Sequence, residues 1–567
     1  MSAEPGSDTA RSEQPSGRDF TVEGADPHGE LFAEEDEGMQ KELGPRQLQM
    51  IAIGSAIGTG LFLGTGGRLH TAGPSLAIVF AVCGLFGYLI MRSLGELVVY
   101  RPSSGSFVSY IREFYGERSA YLTGWLYWLN WAMTAVADAT AIAIYVKWFG
   151  RYSEFVGNIP QGVTALLVLA IVLAMNLLSV KAFGEMEFWF AAVKVGALVI
   201  FLIVGIFFII FGTPTGSDVG FHLISNNGGF FPFGVLPALI VVQGVVFAYA
   251  GIELVGTTSG ETRDAEKVIP KAINTILLRI AVFYVGSVVL LCMLLPYTAY
   301  SDTESPFVTF FDSIGVDYIA PIMQLVVITA ALSSLNAGMY STGRIMHSMA
   351  VSGSAPRFAA KLNRFGVPSG GIWMTAGVGV LGVGLNFIVP ASAFEIVLNI
   401  ASLGTMAAWA AIAFAHWRFV RLAQKGKYER PAYRAPFSPY IDILTLVFLA
   451  VVIALMAVDY PVGTWTLLSI VALTPLLIGG WFLVRGRVRQ IASERQTLTG
   501  AIPIVPSRPY TYARRRALME QAAKMRRGPG PVVAPLPMSA PTPAEPEFQE
   551  APEPTPGWDE EHRGDQR

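Results

Sequence analysis

About a dozen apolar stretches of roughly 20 residues run through this 567-residue chain, each long enough to cross the roughly 30 Å of hydrocarbon in a bilayer. They fall near 46–69, 74–100, 120–148, 161–181, 188–212 and 233–259, then near 271–296, 317–343, 372–389, 394–417, 440–458 and 463–484. Lipid offers no water to satisfy peptide groups, so segments of this length cross it as helices. The pattern therefore predicts an all-α polytopic membrane protein with 12 transmembrane helices. Hydrophobic residues make up 52% of the chain and charged ones 14%, with a mean hydropathy of +0.48, which excludes an ordinary soluble globule.

Charge placement orients the spans. Arg101, Arg112, Arg118, Lys181, Arg263, Lys267, Lys271, Arg344, Arg357, Lys361, Arg364 and the cluster from Arg418 to Arg434 fall in alternate connections, while the others hold little beyond Arg68 and Arg151. Lys and Arg accumulate on the cytoplasmic side, so both termini are expected in the cytoplasm of a cell bounded by this inner membrane. Residues 1–44 carry about a dozen acidic side chains against three basic ones, with no apolar run behind a basic start. No cleavable signal peptide is expected there. That segment and the Pro/Glu-rich stretch from about 529 onward lack the apolar content to fold and are expected to be disordered. The resulting division is an acidic tail over 1–44, a 12-helix membrane domain over 45–485, and a basic then Pro/Glu-rich tail over 486–567. Arg485, Arg487, Arg489, Arg508 and the Arg514–Arg516 cluster could lie on anionic lipid, although ordinary positive-inside bias explains them as well. Cys83 and Cys292 both sit in apolar spans, which points to neither a disulfide nor a metal site.

Two of the apolar stretches contain small-residue breaks, Ile53-Gly54-Ser55-Ala56-Ile57-Gly58-Thr59-Gly60 and Phe247-Ala248-Tyr249-Ala250-Gly251-Ile252-Glu253. A helix is interrupted inside a membrane only where its freed backbone groups are buried or line a cavity. Residues 46–212 and 233–417 each hold five spans, the first of them broken. An odd number of spans inserts the second half upside down, which predicts the inverted 5+5 repeat of discontinuous-helix transporters, with spans 1 and 6 broken. Spans 440–458 and 463–484 lie outside the repeat.

The strings Gly54-Ser55-Ala56-Ile57-Gly58-Thr59-Gly60-Leu61-Phe62, Gly95-Glu96-Leu97 followed by Pro102-Ser103-Ser104-Gly105-Ser106-Phe107, and Gly251-Ile252-Glu253-Leu254 resemble the bacterial amino-acid permeases of the amino acid, polyamine and organocation superfamily. The resemblance covers roughly residues 43–485 and implies a LeuT-like fold. Within that family, Asn130-Trp131-Ala132-Met133-Thr134 with Asp138-Ala139-Thr140-Ala141 is most similar to the L-asparagine permeases, although many relatives carry Glu at the position of Asp138.

An α-amino acid brings a carboxylate and an ammonium into a nearly dry site, where an unpaired charge is costly. The helix start around Ala56, Gly58, Thr59 and Gly60 offers N–H groups to the carboxylate, and the carbonyls around Phe247 and Ala250 suit the ammonium. The resemblance implies the same roles. Small residues also serve close helix packing, and an aromatic such as Phe247 or Tyr249 serves either as gate or as packing. Asp138 is a candidate acceptor for a side-chain amide, or else a contact between helices. Thr134, Asn336, Asn399 and Ser402 are candidate amide partners. Among ionisable residues inside spans, Glu96 reads as structural. Glu253 either relays a proton or holds the break. Lys194 matches, by resemblance, a span-5 lysine that in proton-coupled members stands where sodium-coupled relatives hold a cation, with Ser333 and Ser334 as neighbours; an ordinary ion pair or snorkelling is the alternative.

These residues predict proton-coupled import of L-asparagine by alternating access, the proton being the coupling ion and no cofactor being required. Another substrate (γ-aminobutyrate, proline, or broad neutral or aromatic amino acids) and an amino-acid-sensing receptor are the alternatives. No nucleotide loop, metal cluster or nucleophile with histidine suggests an enzyme, the His residues lying mainly near loops or span ends. Nothing suggests a nucleic-acid partner, and the sequence leaves monomer and homodimer open.

Overall fold

The computed structural model describes residues 43–54, 57–216, 218–262, 264–316, 318–388, 393–460 and 462–499. Regular structure among them is helical, apart from isolated bridges pairing Leu43 with Thr262 and Leu362 with Pro368. The first half of the chain contains α1 (Pro45–Gly54), α2 (Thr59–Phe62), α3 (Gly64–Ala72), α4 (Leu76–Tyr100), α5 (Ser106–Tyr115), α6 (Glu117–Trp148), α7 (Gln161–Asn176) and α8 (Val180–Phe211). The second half contains α9 (Val242–Ala248), α10 (Leu254–Thr257), α11 (Ala265–Asn274), α12 (Ser287–Leu294), α13 (Ile319–Val351), α14 (Ser369–Ile388), α15 (Ala393–Gln424), α16 (Tyr440–Val458) and α17 (Val462–Thr499). A turn and a half of π-helix, Ile280–Gly286, joins the α11 region to α12.

By length and composition, eight helical runs among the described residues can cross a membrane, and Gln161–Asn176, Val235–Ala248 and Ser369–Gly384 are shorter apolar helices. One of the eight, Gly64–Tyr100, is physically two helices. Gly73 at φ +63° and Pro74, which has no N–H, stop α3 and start a 3₁₀ turn before α4. The two breaks read from the sequence are present in the backbone. α1 ends at Gly54 and the chain resumes as helix at Thr59, and α9 ends at Ala248 before a turn through Gly251 at φ +96° leads into α10. Ser55 and Ala56 lie outside the described residues.

Apolar exposure follows position. The long α6 and α13 are buried over most of their inner lengths, whereas α8 exposes Ile200, Ile203, Phe207, Ile210 and Phe211, and the most apolar window of Gly463–Glu494 has no buried residue. Such rows of exposed large side chains suit hydrocarbon, not water. The chain is thus a multi-pass membrane protein embedded in lipid.

Several expectations shift. α17 continues past residue 485 to Thr499, so Arg485, Arg487 and Arg489 belong to a helix. Arg487 donates to the carbonyls of Ala350 (3.1 Å) and Ala355 (2.8 Å), capping the end of α13 instead of lying free in a basic tail. Arg68 is no loop residue. It is buried in α3 and donates to the Gly60 carbonyl at 3.3 Å, with its guanidinium filling the space that Cβ atoms would need at Gly64 and Gly244. Of the segment 1–44, only Leu43 and Gly44 are described, Leu43 being buried and bridged to Thr262; the Pro/Glu-rich segment lies outside the described residues.

Candidate functional site

The two breaks face one another. A Cβ placed on Gly60 would stand 2.6 Å from Ala248 Cα, so the start of α2 and the end of α9 touch backbone to backbone. Around that contact Gly58, Thr59, Gly60, Trp131, Thr134, Phe247, Ala248, Ala250 and Ser334 wall a small cavity. The free space left between them is about what one water molecule needs. An amino acid therefore enters only if these walls part.

The chemistry of the walls follows from the breaks. Gly58 is extended (φ −132°, ψ −155°) as the cap of α2, and the first turn of any helix leaves its leading N–H groups without acceptors inside the helix. On the opposite side the Phe247 carbonyl accepts from Ala250 N–H at 2.8 Å and keeps a second lone pair. The start of one broken helix and the cut end of the other thus both border the cavity. The walls are otherwise apolar or small, and Gly338 lets α13 run flush against Trp131, since a Cβ there would lie 2.5 Å from the indole.

Of the residues singled out in the sequence, Gly58, Thr59, Gly60, Phe247, Ala250, Ser334 and Thr134 meet at the cavity. Asp138 stands one layer behind. It is fully buried on α6 and its Oδ1 accepts from Thr59 Oγ1 at 2.6 Å, so it orients a wall residue instead of lining the space. Asn336 lies away from the cavity, its Oδ1 accepting from Asn176 Nδ2 at 2.7 Å. Ser402 and Asn399 do not line the cavity either, Ser402 Oγ donating to the Asn399 carbonyl at 2.8 Å. Ala56 lies outside the described residues. Tyr249 is a packing residue. Its hydroxyl donates to the Phe80 carbonyl at 2.8 Å and its ring stacks on Tyr284 at 4.6 Å, both away from the cavity.

Behind the first break is a buried polar cluster. Gly54 lets the end of α1 lie on α8, where a Cβ would meet Ala191 Cβ at 2.5 Å and Lys194 Cε at 3.1 Å. Lys194 Nζ donates to Ser333 Oγ at 2.8 Å, and Ser333 Oγ donates to Glu187 Oε1 at 2.6 Å. Ser333 and Ser334 divide because neighbours on a helix point about 100° apart. The first faces the lysine, the second the cavity. Glu253 closes the other break. Its carboxylate accepts from Gly251 N–H at 3.1 Å and from Tyr127 OH at 3.3 Å, which satisfies backbone freed by the turn.

Sequence reasoning missed four groups. Trp131 sat inside a quoted motif but carried no chemical signal beyond size. Glu187 fell one residue outside the apolar stretch 188–212 and was not singled out. Arg344 was counted among the inner-loop charges and Glu261 was not singled out, yet both are buried and paired at 3.2 Å. His416 is the fourth; it lies near a span end, as read, but not in a loop. It is fully buried in α15, with Nδ1 2.8 Å from Asp442 Oδ2 and Nε2 3.1 Å from Glu96 Oε2. Glu96 also takes Arg430 through two bonds, of 2.6 and 2.8 Å. The structural reading of Glu96 agrees with this cluster, in which His416 is the bridging partner.

Comparison with known proteins gives the architecture its family. The profile of the family described as "Amino acid permease" matches residues 47–494. The chain is 56% identical to L-asparagine permease 1 of Mycobacterium tuberculosis over 476 residues, covering 84% of this chain and 96% of the relative. It is 56% identical to the L-asparagine permease of Escherichia coli over 81% of this chain and 91% of the relative, and 54% identical to that of Streptomyces coelicolor over 81% and 94%. A profile spanning most of the chain, with both broken helices inside it, identifies this protein as a member of the amino acid permease family of the amino acid, polyamine and organocation superfamily, a transporter and not an enzyme.

Proposed function

We propose that this permease imports L-asparagine together with a proton across the cytoplasmic membrane by alternating access. The observation that carries the reading is the pair of broken helices whose cut ends meet at Gly60 and Ala248 around a cavity of backbone donors and acceptors. The names of its relatives favour asparagine as the substrate. In this reading Gly58, Thr59 and Gly60, with Ala56, receive the carboxylate, the carbonyls at Phe247 and Ala250 receive the ammonium, and the Phe247 ring closes over the substrate. Asp138 holds Thr59 in position, Thr134 and Ser334 reach the amide, and Asn336 acts at one remove.

The proton is carried at Lys194, which lies against the first break through Gly54 and bonds Ser333. Loss of its charge would free α1 to move relative to α8 and α13. Glu253 holds the second break in one geometry. Twelve spans arranged as an inverted 5+5 repeat plus two peripheral helices, with both termini in the cytoplasm, complete the proposal; the eight long and three shorter apolar helices, and the division of Gly64–Tyr100 in two, support it.

The test is radiolabelled L-asparagine uptake into proteoliposomes under an imposed inward proton gradient, with unlabelled amino acids as competitors and Lys194→Ala as the comparison. Concentrative uptake competed only by asparagine, and absent or gradient-independent in the variant, is expected. Uptake that ignores the proton gradient and follows external sodium would refute the coupling. Stronger competition by γ-aminobutyrate or proline would refute the substrate.

A further inference from the structure

Glu187 has no role in the scheme above, yet it is completely buried on α8, two turns before Lys194. A carboxylic group buried in a membrane protein is costly to isolate from water and calls for specific partners. Its surroundings are specific. Ser333 Oγ donates to Glu187 Oε1 at 2.6 Å while accepting from Lys194 Nζ at 2.8 Å. A hydroxyl supplies one donor and two acceptor sites, so it can do both at once. The direct Lys194–Glu187 separation is 3.9 Å, beyond hydrogen-bond length, which leaves the serine hydroxyl as the short route between them.

We propose that Glu187 is the acceptor to which Lys194 passes its transported proton, through Ser333. This rests on the proton-coupled reading given above and extends it by naming where the proton goes next. In the step, an N–H bond of Lys194 breaks as an O–H bond forms on Ser333, and the hydroxyl's original O–H bond breaks as one forms on Glu187. Ammonium and carboxylate become amine and carboxylic acid. No charge enters or leaves the trio, and no other reactant is needed. A separated ion pair is turned into two neutral groups, the form a dry interior tolerates best.

The remaining neighbours fit a transfer confined to these three groups. From α13, Asn336 is a neutral neighbour of Glu187, and its Oδ1 accepts from Asn176 at the end of α7. From α6, Asp138 acts on Lys194 from the side of the cavity. α1 contributes Gly54, which has no charge to compete. Glu185, the other acid nearby on α8, is half-buried and pairs with Arg46 at 3.6 Å, outside the trio. Glu187 lies closer than Lys194 to the start of α8, where Lys181 marks the end read as cytoplasmic, so transfer to Glu187 moves the proton inward.

The experiment uses the full chain in proteoliposomes and compares two readouts, asparagine accumulation under a one-unit inward proton gradient and counterflow exchange without a gradient. A one-unit gradient supports up to about tenfold accumulation for one proton per substrate, the ratio equivalent to 1.4 kcal/mol. Wild type is expected to approach that ratio. Glu187→Gln and Ser333→Ala are each expected to keep counterflow while accumulation collapses to equilibrium, and Ser333→Thr, which keeps the hydroxyl, restores it. Accumulation by Glu187→Gln and Ser333→Ala at the wild-type ratio would overturn the relay and leave the coupling reading standing. Absence of accumulation by wild type, with counterflow intact, would overturn the coupling reading itself. If Glu187→Gln fails to fold, as judged by size-exclusion profile, the Ser333→Ala and Ser333→Thr pair decides: equal accumulation by the two would overturn the proposal.

Discussion

Replacing Gly60 with alanine places one methyl group between the cut ends of the two broken helices, and its effect can be worked from the geometry. The new Cβ would lie 2.6 Å from Ala248 Cα and 3.1 Å from both Ala248 N and Cβ. Carbon atoms rest about 3.5–4.0 Å apart, so α2 and α9 must separate by about 1 Å, and no rotamer change can absorb this because the obstructing atoms are backbone. Overpacking on this scale costs about 1–3 kcal/mol. At 1.4 kcal/mol per factor of ten, the closed arrangement loses about 5- to 150-fold in population relative to arrangements in which the helices stand apart. If closing around the substrate is a step of the cycle, the initial rate of counterflow falls by a factor in that range while the protein still folds. The paired control is Gly196→Ala on α8, where a Cβ meets nothing within 4 Å; helix propensity alone would stabilise it by up to about 1 kcal/mol, and its transport should match wild type. A Gly60→Ala protein transporting at the wild-type rate would refute the premise that contact between the two breaks closes the site.

Two further predictions concern stability. Arg344→Ala leaves Glu261, which is fully buried and also accepts from Tyr340 OH, without its cation; a loss of about 3–5 kcal/mol is expected, read as a large drop in thermal unfolding midpoint in detergent, and an unchanged midpoint would contradict it. His416→Phe should cost a similar amount, because a phenyl ring in that place bonds neither Asp442 nor Glu96 and leaves the two acids facing each other across an apolar group, and Asp442→Asn in the same chain should recover part of it; strictly additive losses would show the two residues to be uncoupled.

The sequence carried the membrane class, the positions of both breaks and most of the cavity wall, because those depend on local signals. A run of 20 apolar residues and a Gly-x-Gly string inside it report themselves. What was illegible depends on which residues of distant helices meet. Asn336 and Ser334 are two positions apart on α13, yet one faces Asn176 and the other the cavity; nothing in the string Ser333-Ser334-Leu335-Asn336 says which. Glu187 was hidden by an error of about two turns in where α8 begins, since the helix starts at Val180 and not near 188. His416 and Asp442 are 26 positions apart and on different helices, so no spacing rule links them. Arg68 was misread for the opposite reason, because charge counting treats every arginine near a span end as solvated, whereas a glycine at 244 makes room for this one.

The cluster at Glu96 bears on how the permease can move. Glu96 is four residues from the end of α4 and is fastened to Arg430, His416 and the Ala435 N–H, so this end of the helix is pinned to α15 and to the segment before α16. The remaining twenty residues back to Leu76 span about 30 Å at 1.5 Å per residue. A rigid rod held at one extremity is a lever: a tilt of about 10° that barely shifts the pinned end sweeps the free end through about 5 Å. Placing every strong ionic contact of α4 at one end therefore concentrates displacement at the other, and the helix's mechanical advantage is set by where its salt bridges are.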